Sequence, residues 1–122
     1  MPEQTDLVEV RTTAPDAGSA ALLARALVEG GLAACVQVVP GVTSTYVWQG
    51  EVEVEDEHLL LVKSTASRVE SIRTLLRSEH PYETPEVLAV PVVWADPAYA
   101  AWVRDTVADD APPGTVRAKD ER

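Results

Sequence analysis

The sequence predicts an α+β domain built on one antiparallel sheet with a long central hairpin. Two observations carry that expectation. Apolar residues recur at every second position in four stretches and at every third or fourth position in three others, in the order β-α-β-β-α-β-α. Glycine, proline and capping residues stand between those stretches. The chain has 122 residues, enough for one domain and too few for two. Residues 1–108 are read as that domain. Residues 109–122, with Pro112, Pro113 and Gly114, are read as a flexible tail, or one that orders only by docking.

The first strand is Leu7 to Thr13, where Leu7, Val8 and Val10 alternate with polar residues. Asp16 is a natural N-cap for the first helix, and Ala20, Leu23, Ala24 and Leu27 form its apolar stripe. Gly30-Gly31 ends it, because glycine takes the left-handed cap conformation at little cost. Leu32 to Trp48 reads as one long strand bent or bulged at Pro40-Gly41. Gln49-Gly50 is a turn between two strand-like runs, so a hairpin follows. The return strand, Glu51 to Lys63, starts as Glu-Val-Glu-Val-Glu. It becomes apolar on both faces at Leu59 to Val62, as a buried central strand should.

Ser67 and Glu70 are spaced as a capping box for the second helix, whose buried face is Val69, Ile72, Leu75 and Leu76. His80-Pro81 stops that helix. Val87 to Trp94 is a fourth strand, with Pro91 forcing an edge position or a bulge. Asp96-Pro97 caps a short third helix lined by Tyr99, Trp102, Val103 and Val107. This order fits the split β-α-β, ferredoxin-like arrangement, with the helices on one face of a four-stranded sheet. The second face, rich in Val, Leu and Trp, then needs cover, and sister subunits reached by the long hairpin are the simplest cover.

Charge narrows the function. Twenty acids against ten bases give a net charge of −10. Residues 109–122 hold four acids and three bases, so 16 acids and 7 bases remain in the domain. Such a surface repels nucleic-acid phosphates and anionic lipid, so neither partner is expected. Cys35 is the one cysteine, which excludes an internal disulfide and a Cys-rich zinc site. The polar, acidic opening is not a signal peptide, and no apolar run reaches the length of a membrane span. The expectation is a cytoplasmic protein. No phosphate-cradling glycine loop, nucleophile elbow or positioned acid–base pair is present, so an enzyme is the least expected class.

The densest functional segment is Glu79-His80-Pro81-Tyr82-Glu83-Thr84-Pro85-Glu86. An imidazole, a phenol and three carboxylates on a proline-stiffened loop could hold a divalent cation or a small polar ligand. The competing reading is a rigid connector in which Tyr82 packs, His80 caps the last helix carbonyls and the glutamates are solvated. A lone histidine is a weak metal signal, so the residues by themselves favour the connector. His58 beside Glu55, Asp56 and Glu57 reads as a solvated acidic strand edge. Cys35 reads as a buried, inert thiol and Trp48 as a hairpin or interface anchor. Lys63 either binds an anion or snorkels to water.

Several segments occur in a telling order: Thr13-Ala14-Pro15-Asp16, Leu32-Ala33-Ala34-Cys35-Val36, Pro40-Gly41-Val42-Thr43-Ser44, Tyr46-Val47-Trp48-Gln49-Gly50, Lys63-Ser64, and His80 through Glu86. From about Leu7 to Val107 this set resembles the CutA divalent-cation tolerance family. The resemblance implies a ferredoxin-like subunit similar to PII signalling proteins and a tight homotrimer whose hairpins pair between subunits. It implies a non-enzymatic role in tolerance of copper and other divalent metals, and leaves open a PII-like signalling or small-ligand role in the inter-subunit cleft. His80 falls on the family's copper-ligand candidate, with Glu79 and Glu83 as neighbouring oxygen donors. Some bacterial members carry a second histidine before that position and a cysteine in the first strand, where this chain has Glu79 and Thr12. The implied ligand set is therefore one imidazole with oxygen donors, which suits a weak site for Cu2+ or another divalent cation. Cys35, Trp48, Lys63, Tyr82 and Glu86 fall on further motif positions and form the implied ligand pocket.

Overall fold

A computed structural model describes residues 6–109 of the chain. The elements run β1 (Leu7–Ala14), α1 (Ala17–Glu29), β2 (Cys35–Trp48), β3 (Glu51–Thr65), α2 (Val69–Glu79), β4 (Leu88–Pro91) and α3 (Pro97–Val107). The four strands make one sheet in the order β2-β3-β1-β4, with every pairing antiparallel. This is the α+β, ferredoxin-like order expected from the sequence. Of the expected tail, residues 109–122, only Asp109 is described, and its carboxylate pairs with Arg68 at 2.7 Å; residues 110–122 lie outside the described residues.

Side-chain alternation divides the sheet into two faces. Val10, Ala14, Leu60 and Val62 lie under α1 and α2 and are fully buried with Leu23, Leu27, Ile72 and Leu76. The opposite face receives α3 at one end, where Ala100, Val103 and Val107 pack on Leu7 and Ala34. The helices therefore cover one face and part of the other, which corrects the expectation that all of them lie on one side. α3 is held by Arg68, whose Nε donates to the Val107 carbonyl at 2.6 Å and so satisfies an end-of-helix acceptor. Arg104 also pairs with Asp6 at 2.6 Å.

Local signals explain most boundaries. The Asp16 carboxylate accepts from the Ser19 N–H at 2.7 Å and caps α1. Gly31 leaves that helix at φ +72°. The bulge lies between Val39 and Val42, so Pro40-Gly41 is the extra pair, with Gly41 at φ +73°. Gln49 (φ +52°) and Gly50 (φ +81°) form the two-residue turn whose twist suits a hairpin. Asp96 caps α3 through the Ala98 and Tyr99 N–H groups.

Two expectations are corrected. Ser67 does not cap α2: it sits in a short 3-10 turn over Ala66–Arg68 and its hydroxyl pairs with Thr65, while the helix starts at Val69 with no side-chain cap. β4 spans four residues rather than eight. It stops at Pro91, which has no N–H to continue a ladder, and starts after the proline-stiffened loop.

Candidate functional site

The loop after α2 is tied to the sheet through one imidazole. β4 pairs with β1 only as far as Leu88 opposite Arg11, so Thr13 lies past the end of that ladder. His80 takes the vacant place: its Nε2 lies 2.7 Å from the Thr13 carbonyl oxygen. Its Nδ1 accepts the Tyr82 N–H at 3.0 Å, so the ring proton sits on Nε2, which donates. The side chain is 8 % exposed. It does not cap helix carbonyls, as the connector reading had it; only its backbone N–H reaches Leu76, at 2.9 Å.

Tyr82 continues the contact. Its ring lies 5.0 Å from that of His80, and its hydroxyl donates to a Glu57 carboxylate oxygen at 2.9 Å. Glu57 is only 6 % exposed. Lost solvation, and then the Glu57 carboxylate, push the Tyr82 phenol well above its usual pKa. The solvated acidic edge expected around His58 is thus corrected in part. Glu55 and Asp56 are exposed, whereas Glu57 is buried and His58 points its Nδ1 into the interior. That nitrogen and the Thr12 hydroxyl are the buried side-chain polar atoms without a hydrogen-bond partner among the described residues.

A second polar group crosses the open face of the sheet. The register places Cys35 beside Lys63, and Lys63 beside Glu9. The Lys63 ammonium pairs with Glu9, and Arg11 adds a second contact to that carboxylate at 2.8 Å. The hydrogen bond from Lys63 holds the Glu9 carboxyl below its usual range. Lys63 is therefore neutralised within the chain rather than offered to an anion. Cys35 is a free thiol of intermediate exposure, less enclosed than expected.

The remaining positions stay apart. Glu79 lines an open groove of about 480 Å³ with Ser19, Leu22, Arg25 and Pro81, on the outside of the helices. Glu83 and Glu86 are exposed, and Trp48 stands 54 % exposed at the hairpin tip. As folded, both nitrogens of His80 are occupied. No three His, Cys, Asp or Glu side chains converge as a metal cluster among the described residues. The donor set in this arrangement does not fit a closed metal centre. What the structure does join, His80 with Tyr82, Thr13 and Glu57, includes two residues the loop motif does not contain. For Glu57 the signal was its place in a strict alternation with Leu59 and Leu61 on the open face. For Thr13 the bond is to its carbonyl, on which its side chain has no bearing.

Comparison with known proteins agrees with this architecture. A family model described as CutA1 divalent ion tolerance protein matches residues 8–106. A divalent-cation tolerance protein CutA from Pectobacterium atrosepticum is 43% identical over 98 residues, 80% of this chain and 89% of that one. The corresponding Thermus thermophilus protein is 44% identical over 96 residues, 79% of this chain and 93% of that one. The crystal structure of CutA from Xylella fastidiosa superposes with a TM-score of 0.82 at 41% identity, covering 84% of this chain and 99% of that chain.

Proposed function

Since this chain belongs to the CutA1 divalent ion tolerance family, we propose that it acts in divalent-cation tolerance as a non-enzymatic homotrimer. The observation that carries the assembly is the outer hairpin. Beyond the bulge, β2 and β3 leave the sheet as a two-stranded ribbon. On one side of it Val47, Val52 and Val54 are 69 %, 70 % and 62 % exposed. A lone ribbon is marginal in water, and each valine fully buried contributes about 1.5 kcal/mol or more, so sister copies are the economical cover.

The metal side of the proposal is a weak one. A divalent ion engaging His80, with Glu79 or Glu83 as oxygen donors, must first displace the Tyr82 N–H or the Thr13 carbonyl from the ring. That competition favours a loosely held Cu2+ or Zn2+ over a resident ion. The relative from Archaeoglobus fulgidus is described as periplasmic, so our cytoplasmic placement is a matter for cell fractionation.

Sedimentation velocity at micromolar concentration tests the assembly. A trimer is expected for the parent, with dissociation in Val52→Lys/Val54→Lys; a folded parent monomer overturns it. Calorimetric titration with copper and zinc tests the metal. A weak isotherm lost in His80→Ala supports the reading, and identical isotherms place the metal elsewhere.

A further inference from the structure

The outside of the two packed helices keeps one large apolar side chain in water. Among the described residues, Leu22 is the one such side chain of α1 and α2 that is exposed, at 73 %. It lines the open groove of about 480 Å³ together with Ala26, Pro81 and Glu79. Glu79 is exposed and has no ion-pair partner among the described residues.

The chain leaves the domain at one end of that groove. Arg68, just before α2, donates to the Val107 carbonyl at 2.6 Å and pairs with Asp109 at 2.7 Å. The strand registers put Thr65 beside Leu7 and Cys35 beside Lys63, so the C-terminal end of α1, with Glu29, lies at that same end of the sheet. Glu79 and Pro81 lie at the opposite end, where His80 meets Thr13. The groove therefore runs from Glu29, near the point of departure, to Glu79 and Pro81.

We propose that this groove is the docking site of the chain's own C-terminal segment, with Val116 on Leu22 and Pro81 and Arg117 on Glu79. The length fits. α2 has 11 residues and is about 16 Å long. Val116 stands seven residues beyond Asp109, a reach of ~23 Å when extended. The surplus covers the step across from α2 to α1, and Pro112-Pro113 favours an extended path. The chemistry fits as well. Val116 is the one large aliphatic residue of 110–122, and Arg117, Lys119 and Arg122 follow it in a chain of net charge −10. Packing Val116 on Leu22 removes apolar area of both from water. A guanidinium gains most beside a carboxylate that no neighbour already neutralises. The family match ends at residue 106, so the occupant belongs to this chain's own extension and not to the shared domain.

Trypsin tests the proposal on the full chain, because a docked segment is cut only in the fraction of time it spends free. Intact mass spectrometry follows the cut between Arg117 and Ala118. Leu22→Ala/Glu79→Gln is expected to speed that cut roughly tenfold. Glu83→Gln removes an exposed acid of the adjacent loop that does not line the groove, and should change the rate less than about twofold. Equal rates in the parent and the double variant overturn the proposal. An equal gain from Glu83→Gln overturns it too, since that would mean only diffuse attraction to an acidic surface. Amide NMR locates the occupant with a variant that leaves the domain untouched. Val116→Asp is expected to shift the amides of Leu22, Arg25 and Ala26. Shifts confined to the sheet face, or none at all, overturn the proposal and put the segment on a sister copy or in water.

Discussion

Replacing His80 by alanine should destabilise the fold, because the imidazole stands where a strand partner would otherwise be. Its Nε2–H satisfies the Thr13 carbonyl at 2.7 Å and its Nδ1 satisfies the Tyr82 N–H at 3.0 Å. The ring is 8 % exposed, so solvent reaches neither group freely in the parent. Orphaning a buried polar group costs about 1–3 kcal/mol, and two such groups with partial access of water give an expected loss of about 2–4 kcal/mol. The tilted ring contact with Tyr82, centroids 5.0 Å apart, is lost as well. Urea unfolding followed by circular dichroism, at one fixed protomer concentration, measures it; the concentration must match because assembly contributes to apparent stability. Two controls separate the bonds. Asn places an acceptor near the Nδ1 position and Gln places a donor near Nε2, so each should recover part of the loss. A loss below about 0.5 kcal/mol for His80→Ala would refute the claim that the imidazole replaces a strand partner.

Two further perturbations follow from the same geometry. Tyr82→Phe leaves the buried Glu57 carboxylate without its phenol donor and should cost about 1–3 kcal/mol at pH 7, read by urea midpoint. The Tyr82 pKa is raised in the folded state, so its contribution is full below the usual tyrosine value of about 10 and is lost as pH rises beyond it. The parent should therefore lose stability more steeply than Tyr82→Phe above pH ~10; parallel curves would contradict that. Gln49 holds φ +52° in a two-residue turn, a conformation that asparagine tolerates better. Gln49→Asn should raise the thermal midpoint by a few degrees, corresponding to about 0.5 kcal/mol, and an unchanged or lower midpoint would count against strain at that turn.

The sequence by itself determined the order of elements, the bulge at Pro40-Gly41, the Gln49-Gly50 hairpin and the caps at Asp16 and Asp96, because each rests on neighbours a few residues apart. It also singled out the loop around His80 as polar, stiff and crowded. The tertiary structure alone decided what that loop does. The Thr13 carbonyl is 67 positions from His80, and Glu57 is 25 from Tyr82, so no local pattern ties them. Lys63 read as a candidate anion ligand until the β1–β3 register set Glu9 beside it, 54 positions away. α3 crossed to the open face because Leu7 and Ala34 offered an apolar end there, a choice its own amphipathic stripe left undetermined. Short-range patterns settle backbone conformation through sterics and hydrogen bonds along the chain. The protonation, pairing and exposure of a functional group depend on which distant residues the packed sheet brings within a few ångströms of it.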